Sequence, residues 1–471
     1  MENNANEENT RVNNETNQNT RVNNVDESSN QVKGVTSKNG QQFPSKKFLF
    51  VSFESLSGDL AYQIKKEGHE VKVYIRSDED KDVYDGFLDK VDNWKEYLDW
   101  ADVIVFDDIG FGSIADSLRA SGKLVIGGSK YSDQLEQDRE FSQNEMRRVG
   151  MFVLPHWDFT NFDDAINFIR GNPGRYVFKP SGNTSSDQKG ILFMAQEDDG
   201  RDLIEILELN KNLWARKIKK FQLQKMAIGV EVAVGAFFDG EDFIYPININ
   251  FEHKKLFPGD IGPYTGEMGT LMYWSKPNEM FNHTLLKMKE DLKKSGYAGY
   301  VDINCIANSK GIHPLEFTMR FGYPTISIQM EGVLSKWGET LYKMASKEKF
   351  SLKTKSGFQV GVIVAVPPFP FDDKREMNIY KDLSISFKKP NLDGVHLGDV
   401  KIIEGVWAIA GESGYALVIT GSGNTVEDAR KQTYNRLKNI RLQNMYYRTD
   451  IGERWGVESD LLHTWGYLRG V

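Results

Sequence analysis

Between Tyr297 and Gln329 the chain reads YAGYVDINCIANSKGIHPLEFTMRFGYPTISIQ, and this stretch constrains the fold more than any other. Two apolar, β-prone runs, 299–307 and 312–317, are separated by Asn308-Ser309-Lys310-Gly311. Runs of that kind around a Gly-containing turn pair as a hairpin. Asp302 lies on the first run, Glu316 on the second, and Arg320 just beyond. Two carboxylates on paired strands can face one point, which suits a hard Mg²⁺ ion that also takes oxygens from nucleotide phosphates. An arginine beside such a pair suits a phosphate or carboxylate substrate. The same residues also suit an ion-paired strand with a solvated face, and the hairpin by itself leaves both readings open.

The chain has 471 residues, too many for one small core, and roughly two to four domains are expected. Its 39% hydrophobic and 27% charged residues are globular values. A net charge of −8 disfavours nucleic acid as a partner. No apolar run is long enough to span a bilayer, and the polar N-terminus lacks a signal-peptide core. The single cysteine, Cys305, leaves no internal disulfide, argues against a zinc site and fits a reducing, cytoplasmic setting. In its apolar run it reads as a small buried hydrophobe.

Residues 1–45 are rich in Asn, Glu, Gln, Ser and Thr, repeat the pentad TRVNN, and are expected to be a disordered tail. From 46 to 128 short strands (48–53, 70–75, 102–106, 124–126) alternate with helices (57–67, 94–100, 114–120), which predicts a small parallel sheet. Ligands of such sheets sit beyond the carboxyl ends of the strands. The first such turn, FESLSGDLA, has only Gly58 and is a poor phosphate cradle. A polar helix is expected over 134–149, a strand-like break at 152–155 and a short helix at 163–170. Strand 176–179 then enters a Gly/Ser/Thr loop and leaves by strand 191–195. Lys179, the Ser181–Ser186 loop and Lys189 make a credible phosphate clamp, and equally a flexible hairpin turn. A strand at 221–226 leads into a meander that breaks at Asp239-Gly240. Within it, Glu231 is either a ribose-binding carboxylate or an outward strand residue. Residues 251–271 read as one long glycine-rich loop, and His253 as more often structural than catalytic. Helices are expected at 283–295 and 332–346. A β-rich segment follows, closed by a helix that Thr425 caps and that runs to about 442.

With these pieces placed, the chain resembles the ATP-grasp ligases, and among them the phosphoribosylamine–glycine ligase family of purine synthesis. Four stretches carry the likeness. GDIGPYTGEMG (259–269) resembles the family's GDxGPNTGGMG, and HPLEFTMRFGYP (313–324) its metal motif LEFNxRFGDPE. QLEQDREF (134–141) resembles the opening of the ATP-grasp domain. GNTVEDARKQTYNRLKNI with YYRTDIG (446–452) resembles the C-terminal helix and its FRRDIG ending.

The resemblance implies an α/β and α+β multidomain protein. Its parts would be a Rossmann-like domain at 46–128, an ATP-grasp domain at 129–350 with a lid at about 152–226, a small β-rich domain at 357–452, and a tail at 453–471. It implies ATP and Mg²⁺, with Mn²⁺ as the alternative ion, and small-molecule acid and amine substrates; the oligomeric state stays open. Carried over residue by residue, Arg139, Lys179, Ser181 and Lys189 would meet the nucleotide phosphates. Gln224, Lys225 and Met226 would lie against adenine, and Glu231 on the ribose or the adenine edge. Asp302, Glu316 and Thr318 would hold metal, with Arg320 and Lys254 as catalytic groups. The chain departs from the family at Thr318 (Asn in the family), at Tyr323 and Thr325 (acids in the family), and at Tyr264 and Glu267. It also lacks the first-turn GxGGREHA. Three readings follow: a ligase acting on glycine and phosphoribosylamine, a ligase for another acid and amine, or a nucleotide binder without turnover.

Overall fold

The computed structural model describes residues 43–181, 191–371 and 373–468. The expected tail, up to residue 42, and Lys189 lie outside them. Strands β1 (Lys47–Ser52), β2 (Glu70–Ile75), β3 (Asp89–Lys90), β4 (Val103–Phe106) and β5 (Leu124–Ile126) form a parallel sheet in the order β3-β2-β1-β4-β5. Phe48, Leu49, Phe50 and Val51 are all fully buried, as expected where both faces of a parallel sheet are covered. The order reverses direction between β1 and β4, which places the sheet's switch point at their carboxyl ends.

The expected single helix over 134–149 is two, Lys130–Gln137 and Arg139–Arg148. Asp138 is extended between them, and its carboxylate accepts from the Glu140 and Phe141 amides, so a new helix starts there. Strand β6 (His156–Phe159) follows Pro155 rather than preceding it. With β7 (Tyr176–Ser181), β8 (Phe193–Met194) and β9 (Lys220–Lys225) it makes an antiparallel sheet in the order β6-β9-β7-β8. The helices Phe162–Gly171 and Arg201–Lys217 give this sheet its own core. The second, unforeseen in the sequence, packs Leu203, Leu207 and Trp214 inward, with Trp214 stacked on Phe178 at 5.2 Å.

Strands β10 (Val230–Phe238) and β11 (Phe243–Glu252) form the expected meander around Asp239-Gly240. The predicted glycine-rich loop contains a ribbon, β12 (Lys255–Phe257) and β13 (Ile261–Tyr264), followed by β14 (Gly269–Ser275). The 283–295 helix is interrupted at Thr284, giving Glu279–His283, a short 3₁₀ turn and Lys289–Ser295. The hairpin forms as β15 (Gly299–Asn308) and β16 (Gly311–Thr318). Cys305 is fully buried on it. The helix Thr325–Gly332 was not foreseen, and the 332–346 helix begins only at Trp337.

Strand β17 (Phe358–Ala365) pairs with β14, so one antiparallel eight-stranded sheet runs through the core into the C-terminal part. Its order is β16-β15-β10-β11-β14-β17-β22-β19. The remaining C-terminal strands are β18 (Ser384–Phe387), β19 (Val395–Leu397), β20 (Val400–Ile403), β21 (Val406–Ile409), β22 (Tyr415–Gly423) and β23 (Ile440–Arg441). Thr425 caps its helix as expected, accepting from the Asp428 amide at 3.1 Å, but the helix ends at Leu437 rather than near 442. Among the described residues no helix is long and apolar enough to cross a membrane.

The stretch 453–471, expected as a tail, carries the helix Trp455–Thr464. The Trp455 ring packs edge-on against Phe251, Tyr273 and Phe358 at 5.2, 5.5 and 5.1 Å. Trp455→Ala is expected to cost about 2 kcal/mol in a denaturant melt, since a half-buried indole with three aromatic partners is lost. An unchanged midpoint would return the segment to the status of a tail.

Candidate functional site

The hairpin register sets Asn304 opposite Glu316 and Asp302 opposite Thr318. Successive side chains of a strand alternate between faces, so Asp302 and Asn304 share one face while Ile303 and Cys305 enter the core. Lys254, just beyond β11, is ringed by carboxylates. Its Nζ lies 3.0 Å from Glu231, 3.4 Å from Glu252 and 3.8 Å from Glu316. Burial works against its charge, yet Glu231, Glu252 and Glu316 together hold its pKa well above the ordinary lysine value. The Asn304 amide donates to Glu231 at 3.2 Å and to Glu252 at 3.1 Å, which leaves its Oδ1 buried and without a partner.

Lys179 meets this cluster from the other sheet. It is buried on β7, and its Nζ donates to Gln224 Oε1 at 2.8 Å. Burial lowers its pKa to about 7; Arg139 and Lys254 push the same way, while Glu316 and Glu231 oppose them. Two sheets and the start of the helix Arg139–Arg148 therefore bring Arg139, Lys179, Gln224, Glu231, Lys254 and Glu316 to one place. Ser181 ends β7 with a buried hydroxyl that has no partner among the described residues. Lys225 is exposed with its ammonium 5.4 Å from the Tyr176 ring centroid, and the Met226 amide donates to the Arg175 carbonyl at 3.0 Å. Neither side chain joins the cluster through these contacts.

Asp302 is buried, accepting from Tyr300 at 3.0 Å and Asn250 at 2.9 Å. Burial pushes its pKa up to about 8, with Glu252 adding to the effect. Arg320 turns toward the parallel sheet, where its Nε lies 3.1 Å from Glu136 and 3.2 Å from Asp108. Among the described residues no three His, Cys, Asp or Glu side chains form a ready-made metal cage. Mg²⁺ in phosphate-transfer sites needs only one or two carboxylates plus substrate oxygens. The exposed Glu316 carboxylate and the partnerless Asn304 Oδ1 on the facing strand fit that donor set. His253 is buried: its Nε2 accepts from the Gly452 amide at 3.3 Å, and burial lowers its pKa to about 3.

Sequence reasoning missed Asn304, Glu252 and Glu136. Asn304 is legible once β15 is in register, two residues from Asp302 on the same face. Glu252 ends β11 in step with Asn248 and Asn250. Glu136 carried no local signal, because only the tertiary fold brings it to Arg320.

A family model described as phosphoribosylglycinamide synthetase, ATP-grasp (A) domain, matches residues 137–326. A second, phosphoribosylglycinamide synthetase, C domain, matches 359–454, and together they span more than half of the chain. The phosphoribosylamine–glycine ligase of Streptococcus suis is 24% identical over 356 residues, covering 74% of this chain and 82% of the relative. That of Brucella melitensis is 26% identical over 362 residues, covering 72% and 80%. Among solved structures, phosphoribosylamine–glycine ligase from Thermotoga maritima superposes with a TM-score of 0.65 at 20% identity, covering 86% of this chain and 100% of that one. Biotin carboxylase from Campylobacter jejuni, a β-γ-ATP complex, gives 0.59 at 13% identity, covering 90% and 98%. At these identities the structural likeness establishes the fold.

Proposed function

Because the chain belongs to the phosphoribosylglycinamide synthetase family of ATP-grasp ligases, we propose that it joins a carboxylate to an amine through an acyl phosphate made at the expense of ATP. The observation that supports this most is the meeting of Lys179 and Arg139 with Lys254, Glu231 and Glu316 between two sheets. An acid oxygen attacks the γ-phosphorus of ATP and ADP leaves. The amine nitrogen then attacks the acyl carbon, phosphate departs, and the amine gives up a proton. Such transfers need positioning and charge neutralisation more than a protein nucleophile. The cluster offers fixed cations and carboxylates without a Ser-His-Asp set or an accessible thiol.

In this reading Lys179 and Arg139 hold the nucleotide phosphates, with Ser181 beside them. Gln224, Lys225 and Met226 border the base, and Glu231 accepts from the ribose. Glu316 and Asn304 hold Mg²⁺, or Mn²⁺, which when bound neutralises phosphate charge. Lys254 keeps three carboxylates in place, and Arg320 faces the acid from the side of the parallel sheet. Thr318 is a weaker ligand than the family's asparagine and is the main feature favouring a binder without turnover. Lys179, Glu316 and Arg320 speak for turnover.

Hydroxylamine intercepts acyl phosphates whatever the natural amine is. With Mg²⁺-ATP, hydroxylamine and a panel of acids that includes glycine, hydroxamate and ADP are expected in equal amounts with one acid. ADP and hydroxamate absent across the panel would refute the ligase reading.

A further inference from the structure

Where the parallel sheet meets the core, the chain leaves an open cavity of about 550 Å³. The junction is tied by the Gly127 amide, just past β5, which donates at 2.7 Å to the carbonyl of Ala298, just before β15. Three helices line the cavity. Asp116 and Arg119 come from Gly112–Ala120, Lys130, Tyr131 and Gln134 from Lys130–Gln137, and Lys294 from Lys289–Ser295. A space of that size holds a small metabolite.

Its charge runs against that of the molecule. The chain carries −8 overall, yet three cations line this cavity against the single carboxylate of Asp116. That carboxylate is already engaged: Oδ2 accepts from the Lys130 amide at 2.9 Å, and Oδ1 lies 3.4 Å from Arg119. The Arg119 guanidinium is held in place, donating to the Gly127 carbonyl at 2.6 Å and the Gly128 carbonyl at 2.8 Å. Its Nε is buried and has no partner among the described residues. A Cβ on Gly296 would lie 3.9 Å from its Cδ, so the arginine stem runs along the end of the helix Lys289–Ser295. Lys130 and Lys294 are exposed, and neither ammonium has a partner among the described residues. Arg119 and Lys294 stand in the last turns of their helices, where the dipole favours a cation. Lys130 opens its helix, at the end where the dipole disfavours one, and an anion in the cavity would offset that.

The same helix reaches the ligation site. Roughly 9 Å further along its axis, Glu136 accepts from the Met319 amide at 2.6 Å and pairs with Arg320 at 3.1 Å. We infer that this cavity is a second anion site, for a small phosphorylated compound with two or more negative charges, and that its occupancy is felt at Arg320 through the helix Lys130–Gln137. The phosphate oxygens lie between the Lys130 and Lys294 ammoniums, with the Arg119 charge behind them. Lysine meets phosphate as a point charge, whereas planar carboxylates are matched by the arginine fork, and the free cations here are lysines. An anion bridging Lys130 and Lys294 draws the helix toward the core and steadies the Glu136–Arg320 pair. The site is separate from the one that the ligase reading assigns to Lys179 and Arg139.

Inorganic pyrophosphate is titrated calorimetrically into the full chain carrying Lys179→Met, in buffer free of Mg²⁺. One pyrophosphate is expected to bind per chain, with a Kd of roughly 0.1 mM. Adding Lys130→Gln and Lys294→Gln together should weaken it about tenfold or more, and either alone about threefold, with no change in melting temperature before ligand is added. Both side chains are exposed, so the fold should survive. Glu136→Gln leaves Arg320 with Asp108 and loosens the far end of the helix, and should weaken pyrophosphate about fivefold. No binding, binding indifferent to the two lysine substitutions, or citrate binding as tightly as pyrophosphate would each overturn the site. An unchanged affinity in Glu136→Gln would overturn the link to Arg320. Every readout is binding or melting, so these outcomes stand apart from the hydroxamate assay that tests the ligase reading.

Discussion

Glu316→Gln is expected to lower ADP formation by about three orders of magnitude, the range seen when a preorganised charge at a phosphoryl-transfer centre is removed. The substitution keeps volume and removes only the negative charge. Glu316 is exposed on a paired strand, so the fold should be unaffected. Lys254 would keep Glu231 and Glu252 as partners at 3.0 and 3.4 Å. The measurement is the steady-state rate across a Mg²⁺ titration, alongside a melting curve to confirm folding. A rate within tenfold of the parent would remove Glu316 from the metal assignment.

Lys179→Met should be nearly as damaging, about a hundred- to a thousandfold, and for a different reason. Lys179 is buried, and desolvation lowers its pKa to about 7. At pH 8 the free protein therefore carries it mostly neutral. Bound phosphates favour the ammonium, so ATP binding should take up close to one proton at that pH. Calorimetry in buffers of different ionisation enthalpy reads this directly, and the methionine variant should show no uptake. The sign for stability follows from the same shift. Between about 7 and the ordinary lysine value the unfolded chain binds more protons than the folded one, so this residue's contribution becomes less unfavourable as pH rises through that window. Below pH 7 the buried charge is a cost, and Lys179→Met should melt no lower than the parent there. Unchanged ATP affinity in the variant would take Lys179 out of the phosphate site.

Much of this architecture is legible from local pattern. The strands around Phe48–Val51 and 299–317 declare themselves by apolar runs bounded by turn residues. Glu316 and Lys179 stand out because charge on such runs is rare. What escaped the sequence has physical causes. The break at Asp138 depends on a cap geometry that competes with an otherwise good helix. The helix Arg201–Lys217 has only Leu203 and Leu207 fully buried, so its apolar stripe is thin. Asn304 is chosen as a site residue by a register that depends on the bulge between Asn304 and Cys305. The pairing of Arg320 with Glu136 and Asp108 spans 184 and 212 positions and leaves no trace in any window of sequence.

The eight-stranded sheet has a consequence for inheritance. Strands of the segment matched by the A-domain family model and strands of the segment matched by the C-domain model lie side by side in it, joined at the β14–β17 ladder from Gly269–Val362 to Tyr273–Phe358. A lineage that exchanged one segment for a foreign counterpart would have to match five consecutive backbone pairings and the side chains above and below them. Exchange of either segment alone would break this ladder, and the two are expected to descend as a unit.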